Sequence, residues 1–536
     1  MDKLTQAGQF VIEKAVIFTS TGNVIPIEQS IIEINIYEDI YANSLYGELV
    51  IANTIGLAVE GPIIGQEYLS LIISTPTLED PKHKIVFDKN QLHITKVARN
   101  YVGNDTEILT MDFVTSEVIH NQRSIISRTL VGTYQDMVET LLTKDLKCKK
   151  DLYIEKCNDT KQVITNNRRP FDIISQFTKN ATALTHGTPG FVFFENFKGY
   201  HFRSLQSLYA EGSRFEYYEV EENSTPGDTS TIGLSNLKIN AKVTRDLATI
   251  MSFQILSNQD SITSLSAGGL SSRLITHDIV QKKYTVNDYN YLDDKSIDQQ
   301  GIQRYTTKGK KKDFHIYNSS EIDDDGNRIS DFIPIQFLAP TSTVKDDNGV
   351  YKNSQYEVFS NSQQKSLYIF DPRKHEVALQ KRRSLFANLS MGVRIDIEVR
   401  GQTTYGAGDI ITANIKAKAK VDTESDDKID KFLRGQFLVE TIHHIFSSAT
   451  EEHKMYITIV KDSIEKEHEP ADHAEIKPIF DGKIFSDQHF YGDVPAYDET
   501  TSTNSNAVPA QQSFQKRSLA LNRLGFNPAV DTDTSF

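Results

Sequence analysis

Ile395-Asp-Ile-Glu-Val-Arg-Gly401-Gln-Thr-Thr-Tyr-Gly406-Ala-Gly408-Asp409-Ile-Ile-Thr-Ala-Asn-Ile415 is the stretch on which the reading of this chain turns. Its first seven residues alternate apolar and polar, the pattern of a half-buried strand. A glycine-rich turn through Gly401, Gly408 and Asp409 leads into a second β-rich run. Outward from there, a charged loop over 422–431 precedes Gly435-Gln-Phe437-Leu-Val439. His453-Lys-Met-Tyr-Ile457-Thr-Ile-Val460 closes on Lys461-Asp462-Ser463. Four strands joined by turns predict a small antiparallel barrel or sandwich.

The same signals occur near the start. Ile31-Ile-Glu33-Ile-Asn35-Ile36, Leu45-Tyr-Gly47-Glu-Leu49-Val-Ile51, Gln91-Leu-His93-Ile-Thr95-Lys-Val97 and Glu107-Ile-Leu109-Thr-Met111-Asp-Phe113 all alternate. Gly61-Pro-Ile-Ile-Gly65-Gln-Glu67 matches the Gly401–Gly408 turn: glycine, spacer, glycine, polar residue, strand. Glycine at such places supplies positive φ or close backbone approach. Residues 1–115 therefore read as a first barrel of the same kind. Residues 116–210 read as an α+β domain. They carry a possible helix cap at Thr133, a helix starting at Pro170, and a hairpin from Gly190-Phe-Val-Phe-Phe194 to Tyr200-His-Phe202. Glu195, His201 and Arg203 are expected on that hairpin's exposed face. Residues 211–265 are a linker with opening strands of the second barrel at 237–243 and 250–255. Residues 266–391 are a polar insertion ending in a helix over 374–388, and 392–464 complete the second barrel. The proline-bearing segment 465–536 reads as an extended C-terminal tail. The expected class is mainly β: two similar small β-barrel domains plus an α/β domain and a loop-rich insertion.

The order "strand, G-x-x-x-x-G-x-G-D, strand, loop, G-x-F-L-V, His, strand, K-D" over 395–463 resembles the central hub proteins of contractile-tail baseplates, above all those of T-even-type phages. Late-control tail proteins and the spike base of type VI secretion are related to them. Pro170-Phe-Asp-Ile-Ile-Ser-Gln176, Phe191-Val-Phe-Phe-Glu195 and Gly199-Tyr-His-Phe-Arg-Ser-Leu205 strengthen the resemblance. It implies a homotrimer in which two barrels per chain form a ring of six, with the α+β domain outside. The ring would join the tail tube protein to the central spike protein, surrounded by baseplate wedge proteins, and DNA would pass through its lumen. The tail after the second barrel would face the spike. The implied location is the virion, after assembly in the host cytoplasm.

Composition bounds the alternatives. With 536 residues, two to four domains are expected. A net charge of -14 argues against duplex binding, which needs clustered Lys and Arg. Carboxylates at Glu33, Glu38, Glu48, Glu67, Asp396, Glu398 and Asp409 predict a neutral or acidic lumen. The basic run over 308–312 is assigned to the outer insertion, and no specific nucleic-acid binding is expected. No apolar run is long enough for membrane insertion, and the first residues lack a signal-peptide pattern. Cys148 and Cys157 read as free thiols. His443 and His444 alternate on one strand and cannot share a metal. The expected arrangement puts one in the core with a satisfied hydrogen bond and the other outside. Residues 321–332 mimic a calcium loop but place Phe332 where a bidentate Glu belongs. No catalytic, cofactor or metal site is expected, and the residues singled out are structural turns: Gly61, Gly65, Gly401, Gly408, Asp409 and Gly435. Three other functions compete with the ring: a tail-associated cell-wall-degrading enzyme subunit, a type VI-like secretion spike component, and a secreted or surface binding module.

Overall fold

The computed structural model describes residues 7–53, 56, 63–75, 84–102, 106–158, 161–184, 187–219, 246–258, 263, 266–269, 271–278, 282–290, 336–341, 343–345, 351–353, 376–416 and 429–462. Gly61, the strand expected over 237–243, the basic run 308–312, the loop 321–332 and the tail 465–536 lie outside the described residues.

The protein is mainly β. Its first unit comprises β1 (Val11–Phe18), β2 (Val24–Pro26), β3 (Ile31–Asp39), β4 (Tyr46–Ala52), β5 (Tyr68–Ser74), β6 (Lys84–Val102) and β7 (Thr106–Thr115). These pair antiparallel in the order β2-β1-β5-β6-β7-β4-β3. Alternation drives the curl: Ile34, Ile36, Leu49, Ile51, Leu69, Leu71, Met111 and Phe113 all point to one fully buried core.

The α+β unit follows. It contains α1 (Ser116–Arg123), β8 (Thr129–Gly132), α2 (Tyr134–Thr140), a π-turn over Leu141–Asp145, β9 (Asp151–Ile154) and β10 (Lys161–Ile164). It continues through α3 (Pro170–Asn180), β11 (Phe191–Asn196), β12 (Gly199–Ser204) and α4 (Leu205–Tyr209). Thr133 caps α2 in a capping box with Asp136, satisfying two otherwise unpaired backbone donors. Pro170 opens α3, where its missing N–H costs nothing.

The second unit comprises β13 (Glu216–Glu219) and β14 (Thr249–Asn258). After the insertion strands β15 (Ser271–Asp278), β16 (Lys283–Asn290), β17 (Gln336–Thr341), β18 (Thr343–Lys345) and β19 (Tyr351–Asn353), a π-turn over Glu376–Lys381 runs into α5 (Arg382–Leu389). The unit then adds β20 (Val393–Arg400), β21 (Ile410–Lys416), β22 (Ile429–Ser447) and β23 (Glu452–Lys461). It closes into a six-stranded barrel, β13-β21-β22-β23-β20-β14 and back to β13. The four strands over 392–464 and the one expected at 250–255 are present, but the sixth strand is β13, in a stretch read as linker, and it runs parallel to both its neighbours. That strand is not part of a hairpin. It arrives from the α+β unit, with Arg214 and Thr412 N–H groups bonding Ile410 and Phe215 carbonyls as it docks.

The two units share one strand order. β1-β5-β6-β7-β4-β3 in the first matches β13-β21-β22-β23-β20-β14 in the second. β6 and β22 each have 19 residues, and β7 and β23 each have 10. Each long strand bulges at the same place, between Ile94 and Lys96 and between Val439 and Thr441. Ile94 N donates to the Glu67 carbonyl and Val439 N to the Asp409 carbonyl, both at 2.9 Å.

Candidate functional site: the junction between the two units

β22 belongs to both units. One edge pairs with β23 from Leu438 to Ser447. The other pairs first with β21 (Lys416↔Ile429 to Ile410↔Leu438) and then with β3 of the first unit (Thr441↔Asp39 to Ser447↔Glu33). Gly435, at φ +107, lies where β22 pairs with β21, a backbone angle that only glycine adopts without strain. Beyond the junction the strand delivers Phe446 into the first unit's core, fully buried and edge-on to Phe10 with centroids 5.3 Å apart.

A polar contact locks the junction on its outer face, and a histidine pair ties β22 to β23 on its inner face. On the outer face His443 stacks on Tyr37 with centroids 4.2 Å apart, and its Nε2 lies 2.7 Å from Asn35 Oδ1. Burial holds its pKa down to about 4. On the inner face His444 Nδ1 meets His453 Nε2 at 3.1 Å. Burial pushes His444 down to about 3 and His453 well below the ordinary range. The sequence reading foresaw one histidine inside, but the outer one is engaged as well. The buried one has another histidine as its partner, and its Nε2 has none among the described residues.

A second lock joins all three units. Glu38, on β3, accepts the Phe197 N–H at 2.9 Å and the Ala407 N–H at 2.8 Å. Asn196 Nδ2 donates to the Ala407 carbonyl at 3.0 Å. Asp409 accepts the Gly406 N–H at 2.8 Å and pairs with Lys198, with the Arg214 Nε 3.9 Å away. Burial lifts Glu38 to about 7. Burial works the same way on Asp409, but Lys198 and Arg214 outweigh it and hold its pKa below the usual carboxylate value. Three carboxylates expected on a lumen wall, Glu38, Glu67 and Asp409, are thus inside the protein. Each is drawn in by backbone N–H groups: Glu67 accepts those of Ile64, Gly65 and Gln66 at 2.8 to 2.9 Å. Glu33, Glu48, Asp396 and Glu398 keep partial exposure.

Glycines fit these turns closely. Gly65 and Gly408 have φ +88 and +90. A Cβ on Gly408 would lie 2.5 Å from the Phe194 ring, and one on Gly401 would lie 2.0 Å from His453 Cγ.

Glu195, His201 and Arg203 require a correction. They are buried, because every residue of β11 and β12 is covered. Glu195 bonds the Leu45 N–H at 3.0 Å and the Thr115 hydroxyl at 2.9 Å, and pairs with Lys150, which also reaches Glu117. His201 is sandwiched between Tyr153 and Phe194, with centroids 4.4 and 4.7 Å away. Arg203 pairs with Glu211. Glu195 fastens the α+β unit to the first unit, whereas His201 and Arg203 are held within the α+β unit; alternation alone did not reveal the cover. Cys148 and Cys157 are free, their thiols pushed up by burial. Among the described residues no cluster of three or more His, Cys, Asp or Glu could hold a metal, and no helix is long and apolar enough to cross a membrane.

No family model and no curated protein matches the chain. Among solved structures it is similar to the tail protein of Neisseria meningitidis, with TM-score 0.44 and 9% identity over 85% of this chain and 98% of that one. It is also similar to the 43 kDa tail protein of a Shewanella oneidensis prophage, with TM-score 0.44 and 8% identity over 84% of this chain and 100% of that one. An Escherichia coli protein described as a component of the type VI secretion system matches with TM-score 0.34 and 8% identity, over 86% of this chain and 79% of that one.

Proposed function

We propose that this chain is a structural virion protein, the central hub of a contractile-tail baseplate. Three copies form a pseudo-six-fold ring that connects the tail tube to the central spike and lets DNA pass. The observation that carries the reading is the β3–β22 junction. Two units with one strand order are joined edge to edge within a single chain, as adjacent members of a ring would be. Residues 1–115, together with 211–265 and 392–464, supply the ring, and the α+β unit braces it from outside through Glu38 and Glu195. Gly65, Gly401, Gly408 and Asp409 serve as its structural turns, whereas Gly435 lies within β22 rather than in a turn. The chain acts without a catalytic site or cofactor. Its partners are the tail tube, spike and wedge proteins, and its place is the tail of the virion. The lumen is neutral or acidic, so that DNA slides past without the salt-dependent phosphate contacts that Lys and Arg would make.

Light scattering on the purified chain, alone and with its spike protein, tests the reading. A trimer is expected, and a monomer at every concentration in both conditions would overturn it. A type VI-like secretion spike component would share this assembly, whereas a cell-wall-degrading subunit would have to hydrolyse purified peptidoglycan.

A further inference from the structure

Among the described residues the two barrel units join edge to edge once, and the chain carries the two halves of a second such junction. In the contact it makes, residues 441–447 of β22 lie antiparallel on the edge of β3. The shared strand order says what corresponds to each side. Ile94 and Val439 hold the same position, so 441–447 of β22 corresponds to 96–102 of β6. Ile34 faces Leu49, which faces Met111, and Phe253 faces Ile397, which faces Ile457. β14 therefore corresponds to β3, with Asn35 equivalent to Gln254 and Ile36 to Ile255.

Among the described residues both counterparts are uncovered. β5 pairs with β6 only as far as His93, and no described strand pairs with that edge over 96–102. β13 pairs with β14 only at Thr249 and Ile250, and no described strand continues along that edge. Exposure follows. Phe446 is 0% exposed and its counterpart Tyr101 is 73%; Ile36 is 0% exposed and its counterpart Ile255 is 41%. Met251 and Leu256 are exposed as well. The β14 edge from Ser252 to Ser257 reads Ser-Phe-Gln-Ile-Leu-Ser, without the charge or proline that guards a strand meant to stay free.

We propose that β14 of one copy accepts residues 96–102 of β6 from a second copy as an added antiparallel strand, repeating between chains the junction made within the chain. The register sets Asn100 opposite Gln254 and Arg99 opposite Ile255. Tyr101 enters the rim of the second core beside Phe253, as Phe446 enters the first. The contact is heterologous, each copy giving one edge and receiving the other, so it propagates until a ring closes. This inference rests on the assembly reading above and names the surfaces that make it.

The full-length double variant Asn100→Cys/Gln254→Cys tests it. Residues directly opposite on antiparallel strands have Cα atoms about 4.5–5.5 Å apart, within disulfide reach. Mild oxidation should shift the double variant to covalent dimers and trimers on a non-reducing gel and leave both single variants unshifted. A wild-type trimer whose double variant gives no interchain bond overturns this pairing and leaves the hub reading standing. A disulfide formed within one chain overturns it too, because β14 is then covered by its own chain. A wild-type protein that is monomeric under all conditions overturns both. Separately, Ile255→Lys, on an exposed position that should not disturb the fold, is expected to shift scattering mass from trimer to monomer. An unchanged mass would count against the edge.

Discussion

Gly401 is glycine because the imidazole of His453 fills the space its side chain would need. A Cβ there would lie 2.0 Å from His453 Cγ and 2.1 Å from Nδ1, while the Gly401 N–H bonds the His453 carbonyl at 2.7 Å. Neither partner can retreat, since His453 also stacks on Phe446 with centroids 3.9 Å apart. Gly401→Ala should therefore lower stability by about 1–3 kcal/mol, the usual cost of overpacking a core. Urea unfolding would read this as a lower midpoint with an unchanged slope.

Phe446 is carried by the second unit's strand but buried in the first unit's core. Phe446→Ala should cost about 3–5 kcal/mol, as for a large aromatic removed from a packed interior. Because it couples the two units, calorimetry should also show one transition splitting into two. A single sharp transition in the variant would mean that the β3–β22 ladder and the Glu38 contacts couple the units without it.

Glu38 gives a pH signature. Burial raises it to about 7 from an ordinary 4.5. Between those values the folded state keeps a proton that the unfolded chain has lost, so its contribution to stability is present below 4.5 and is lost as pH rises through 7. Glu38→Gln does not titrate. Its melting temperature relative to the wild type should therefore rise between pH 5 and pH 8, and a constant difference would show that Glu38 stays charged in the fold.

The histidine pair runs the other way. Burial lowers His444 to about 3, whereas an unfolded histidine titrates near 6.5. Stability from this site is present above 6.5 and is lost as pH falls toward 3. His444→Gln, which keeps a hydrogen-bonding group beside His453 without titrating, should soften the loss of melting temperature between pH 6.5 and pH 4.

Local signals in the sequence determined the local structure. Period-two alternation in Ile395-Asp-Ile-Glu-Val and Ile31-Ile-Glu-Ile-Asn-Ile marked strands, because successive side chains on a strand face opposite sides whatever lies beyond them. Thr133 and Pro170 marked helix starts through groups within one turn, and the matched glycine turns pointed to a repeated unit. Tertiary structure alone decided which side of each strand would be covered, and by what. Glu38 is inside because the N–H of Ala407, 369 positions away, is brought to it. Glu195 is inside because Leu45 and Thr115 of the first unit close over it, and His201 and Arg203 because Tyr153 and Glu211 of their own unit reach them. His453 finds His444 only once β22 and β23 pair. β22 could not be recognised as a shared strand from its own residues, since a strand's free edge consists of backbone groups that are identical in every sequence. Which chain segment pairs with that edge is settled only when the whole sheet has assembled.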